Sequence, residues 1–154
     1  MSDAFHRNLR KRFGDRVPFA PEYIEIPCQI EGIVTEFFEG LAALDPSVRV
    51  QRIWLDGGKL CIVTNGSHTG LDDIIADAEA AAEHLRVREG LQPIIDDLFQ
   101  DLADYAHAVH IYGIIDRGEG LVVIDARVSD DITAADKYTV YRILEEYQER
   151  LNEF

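Results

Sequence analysis

The stretch VRVQRIWLDGGKLCIVT, residues 48–64, decides the fold class. Two runs rich in β-branched and aromatic side chains flank Asp56-Gly57-Gly58, and glycine tolerates the positive φ angles that a tight hairpin turn needs. The segment reads as a strand over 48–55, a turn, and a returning strand over 60–64. On its N-terminal side, Ile30, Ile33, Val34, Phe37, Phe38 and Leu41 recur at helical spacing. They predict a helix over about 29–44 that Asp45-Pro46 ends. On the other side, Asn65-Gly66-Ser67 breaks the strand. Leu71, Ile74, Ile75, Ala78 and Leu85 then mark the buried side of a helix that stops at Gly90.

The order returns further along. Leu91, Ile94, Ile95, Leu98, Phe99, Leu102 and Tyr105 make a helical stripe, with Pro93 acceptable in the first turn. Val109–Ile115 and Leu121–Val128 flank a turn at 116–120, and Ser129-Asp130-Asp131 offers caps for a last helix over 132–151. At a constant offset Phe38 aligns with Phe99, Leu41 with Leu102, Ile53 with Ile114 and Gly57 with Gly118. The expectation is an α+β fold in which residues 28–154 form one domain of two similar αββα halves, about 29–88 and 91–151. Their hairpins would join in one antiparallel sheet of four or more strands, with helices packed on one face. Near its turn the second hairpin is apolar on both faces, unlike a half-solvated antiparallel sheet. Either the N-terminal segment covers that second face or another subunit does, and a homodimer is the favoured expectation.

Residues 1–27 read as a basic N-terminal helix and a linker. Phe5, Leu9 and Phe13 form a stripe over 3–13 that Gly14 ends, and docking on the rest of the chain is its simplest use. Pro18, Pro21 and Pro27 make the following stretch extended, with an edge strand at Tyr23–Ile26.

At 154 residues the chain is of single-domain size, and 47% hydrophobic residues suffice for a core. No apolar run approaches the roughly 18 residues of a membrane span, and no secretory leader pattern is present. Cys28 and Cys61 are the only cysteines, which suits a reducing, cytoplasmic setting and two packed thiols. Residues 1–16 hold five cations (Arg7, Arg10, Lys11, Arg12, Arg16) against Asp3 and Asp15, a local +3. The remainder therefore carries −17, which gives the net −14. Such a body repels nucleic-acid phosphate and favours basic protein partners.

Chemistry-bearing motifs are sparse. Gly118-Glu119-Gly120 sits in a hairpin turn and does not open a helix, so it is not a phosphate-cradling loop. Adjacent Ser67 and His68 lack the geometry of a nucleophile and its base. Asp104-x-x-His107-x-x-His110 is the best metal-like set: a carboxylate and two imidazoles are a legitimate shell for zinc or another divalent ion. Asp96, Asp97, Asp101 and Asp104 cover the polar side of the fourth helix as a candidate docking face. Carboxylates in equal aqueous environments do not separate their pKa values as acid–base pairs need. Trp54 and Tyr112, expected together on the second sheet face, are candidate interface anchors.

The stretch His110–Leu151, a hairpin followed by a helix with an acidic start, is similar in pattern to half of a ferredoxin-like metal-binding domain. The cytosolic domain of cation-diffusion-facilitator transporters is an example. That family places a histidine where this chain has Asp136, and no site residue is taken from the likeness. The leading expectation is a non-enzymatic acidic protein-binding module without a cofactor. It would be an inhibitor, immunity-type protein or chaperone occupying a basic or exposed surface of its partner. A small-ligand or metal-binding domain using Asp104, His107 and His110 is the alternative, and an enzyme with a scattered site is the second.

Overall fold

A computed structural model describes residues 3–44, 47–66, 68–117 and 121–153. The expected stop at Asp45-Pro46, Ser67 of the Ser67-His68 pair and the Gly118-Glu119-Gly120 turn lie outside them. The architecture is α+β, with five α-helices and two small sheets among the described residues. The chain divides into two compact units, 1–83 and 84–154.

In the first unit, α1 spans Asp3–Phe13 as the periodicity predicts. Its buried face is His6, Leu9 and Phe13, while Phe5 is only half-buried. His6 earns its place by donating from Nε2 to the Pro18 carbonyl at 2.8 Å, which satisfies a polar group inside the unit. Phe13 stacks on Phe38 with ring centroids 5.5 Å apart, so the helix is docked. The proline-rich stretch after it is structural too: Val17, Ile24 and Ile26 are buried. Strand β1, Ile24–Glu25, pairs in parallel with β2, Val50–Asp56, placing Ile24 beside Ile53. A two-residue turn leads from β2 into β3, Lys59–Thr64. Gly57 and Gly58 take φ of 58° and 85°, a conformation that other residues adopt only with strain. Helix α2, Glu31–Leu44, buries Val34, Phe37, Phe38 and Leu41. Helix α3, Leu71–Glu83, packs on α2 and β3 and buries Leu71, Ala78 and Ala82.

The second unit contains α4 (Gln92–Asp101), β4 (Val109–Asp116), β5 (Val122–Val128) and α5 (Ala134–Glu153). Its core includes Leu91, Ile95, Leu98, Ile114, Val122, Val140 and Leu151. The β4–β5 ladder is interrupted between Ile111 and Gly113. There the chain entering the unit crosses close by: the His84 carbonyl accepts from Ile114 N at 2.8 Å. A Cβ on residue 113 would stand 3.3 Å from that carbonyl, so glycine makes the approach possible. On the far side, Gln148 of α5 accepts from Ile124 N at 2.9 Å and donates to the Val122 carbonyl. Asn152 accepts from Val122 N at 2.7 Å. One turn of helix thus supplies the partners that another strand would have offered.

The two hairpins do not share the expected four-stranded sheet. They lie in separate sheets, ordered β1-β2-β3 and β4-β5. The outer edge of β2 is taken by β1, and that of β5 is capped by the Gln148 and Asn152 amides. The order α-β-β-α occurs in each unit, with differing lengths: α3 has 13 residues and α5 has 20. Two helices also stop early. Helix α3 ends at Glu83 well before Gly90, because His84 onward is diverted to β4, where Arg88 pairs with Asp116. Helix α4 ends at Asp101, and Ala103–Tyr105 tightens into a 3₁₀ turn.

Candidate protein-binding groove

That early end disperses the metal-like set. Asp104 lies in the 3₁₀ turn, His107 in the turn after it and His110 on β4, and all three are exposed. No group of three or more His, Cys, Asp or Glu among the described residues is drawn close enough to hold a metal ion. The His110 ring instead packs edge-on against Tyr112, with centroids 4.2 Å apart, and Arg127 lies over the tyrosine. Trp54 and Tyr112, expected together on one sheet, belong to different sheets. Trp54 is half-buried under the Arg52 guanidinium, which sits 4.5 Å from the ring centroid.

The acidic side of α4 is partly spent on its own unit. Asp97 pairs with Arg150 of α5 at 3.3 Å, and the Tyr147 hydroxyl donates to Asp101. Asp96 accepts from Gln92, which leaves Asp104 as the member with no such tie described. Tyr147 is 3% exposed, and its pKa is pushed up to about 12, chiefly by burial and then by the neighbouring Asp101 carboxylate. A raised folded-state pKa means that this group's stabilisation is complete below pH 10 and lost as pH rises towards 12. Spectrophotometric titration of tyrosinate is expected to show a component near pH 12 that Tyr147→Phe removes. A wild type without it would show that Tyr147 is not buried beside Asp101 in solution.

A stronger surface lies on α3. Its sequence holds Asp72, Asp73, Asp77, Glu79 and Glu83 and no lysine or arginine. Asp72 and Asp73 sit in the first turn, where the helix dipole favours anions. Residues 76, 79, 80 and 83 share one exposed side by helical spacing. That side borders a groove of about 630 Å³ shared with β3 and reaching Trp54, Cys61 and Val63. Val63 is 41% exposed, and Ala76 and Ala80 offer no bulk to fill the space. Trp54, a candidate anchor by residue type, lines this groove. Ala76 and Ala80 carry no signal of their own in the sequence; the run of acids on α3 was the clue available.

No family model matches the chain, and no curated protein or solved structure shows significant similarity to it. No helix among the described residues is long and apolar enough to cross a membrane.

Proposed function

We propose that the chain is a non-enzymatic, acidic protein-binding module of the cytoplasm, of the inhibitor or chaperone kind, acting by occupying a basic surface of a partner. The acidic, base-free side of α3 beside an apolar groove carries this reading. Carboxylates steer the encounter, and the apolar lining supplies contact area once water is displaced. The net charge of −14 disfavours direct nucleic-acid binding. Self-association belongs to the same proposal, supported by the exposure of Ile115 and Leu121 at one end of the second hairpin, 40% and 47%.

Affinity capture from a native lysate at low and at moderate salt tests the reading. One stoichiometric, basic partner is expected at low salt, weakened at moderate salt. It should be lost from the double variant Asp77→Lys/Glu79→Lys, whose positions are exposed and whose fold is therefore retained. Recovery of no such partner, or its equal capture by the variant, would defeat the proposal.

A further inference from the structure

We propose that β3 receives an extended, basic segment of a partner protein as an added strand, seated in the groove between β3 and α3. The inference rests on the protein-binding reading and assigns it a site and a mode. Strand edges are templates for pairing, and proteins normally blunt them. The edges of this fold differ in that respect. Strand β1 is two residues long and is bracketed by Pro21 and Pro27. On β5, Val122 and Ile124 are capped by Gln148 and Asn152, and on β4 the Ile114 N–H is taken by His84. Strand β3 runs for six residues with β2 as its single strand neighbour among the described residues.

The register says what it presents. The two-residue turn makes Asp56–Lys59 the closing hydrogen-bonded pair, and pairs alternate from there. Leu60 and Ile62 therefore turn their N–H and C=O groups away from β2, towards the position of an added strand. Along that strand, alternate side chains would meet the apolar lining beside Ala76 and Ala80. Main-chain bonds then give affinity and the groove gives selectivity, as in other strand additions. Charge selects the occupant: Glu79 and Glu83, from a helix with five acids and no base, line the groove against the cation Lys59, so lysine or arginine is favoured and acidic peptides are repelled. A second copy pairing through β3 would bring two such helices towards each other, which disfavours that occupant.

Panning a displayed library of random octapeptides against the whole protein and against Ala80→Arg tests the site. Enriched peptides are expected to alternate apolar residues with lysine or arginine. Their retention should fall at least about tenfold on Ala80→Arg. Ala76→Arg serves as the second blocking variant if circular dichroism shows the first to be misfolded. Amide hydrogen exchange at Leu60 and Ile62 should slow when the most enriched peptide is bound. Peptides without alternation, acidic peptides, full retention by the blocked variant, or protection elsewhere on the chain would each overturn the proposal. Basic peptides protecting another surface would sink the groove and leave the protein-binding reading standing. Failure of both the panning and the lysate capture would sink the two together.

Discussion

Phe38→Ala is expected to lower the stability of the first unit by about 3–5 kcal/mol. The ring is fully buried, packs edge-on against Phe37 at 5.7 Å and stacks on Phe13 at 5.5 Å. Its removal opens a cavity where α1 meets α2, so the transfer term and the unfilled space act together. Against a total of about 5–15 kcal/mol for an ordinary domain, this is a large fraction. Urea unfolding followed by Trp54 fluorescence reads the effect locally, because the chain has one tryptophan and it lies in this unit. A loss below about 1 kcal/mol would show that the α1–α2 contact is not packed in solution.

The double variant Gln148→Ala/Asn152→Ala is expected to cost at least about 3 kcal/mol, at roughly 1–3 kcal/mol for each of the three part-buried groups left without a partner. The two amides serve Val122 N, the Val122 carbonyl and Ile124 N. The same change uncovers the β5 edge, so concentration-dependent association should appear by light scattering. Gln148→Glu separates the roles: it keeps the acceptor for Ile124 N and loses the donor to Val122. If the double variant unfolds at the wild-type urea concentration and associates no more than the wild type, the amides do not guard the edge.

The paired strands and the five helices among the described residues were legible from periodicity, and the first hairpin also from its turn chemistry, because those features are local. Asp56-Gly57-Gly58 announces its own turn, and Phe37, Phe38 and Leu41 announce their own face. Features decided by long-range competition were not legible. Nothing in Ile24–Glu25 says that it takes the β2 edge, although an edge strand there was expected. Nothing in Gln148 or Asn152, ordinary polar residues on a helix, says that they close β5. Those two choices close one edge of each sheet. The candidate site followed the same division. Trp54 stood out by residue type, whereas Asp97 and Asp101 looked free until α5 was placed beside them. The spacing of Asp104, His107 and His110 suggested convergence only on the assumption of a helix that continues past Asp101.

The arginines of the N-terminal segment bear on the protein's behaviour as a colloid. Arg10 bonds the Val17 carbonyl, Arg12 pairs with Glu39 at 2.9 Å, and Arg16 contacts the Phe13 carbonyl. The positive end suggested by composition is thus folded into the first unit's own acidic surroundings and does not project as a free cationic tail. Added electrolyte weakens the few exposed ion pairs, which contribute little, and relieves the mutual repulsion of the uncompensated carboxylates. The folded state of this molecule is therefore one that ionic strength protects.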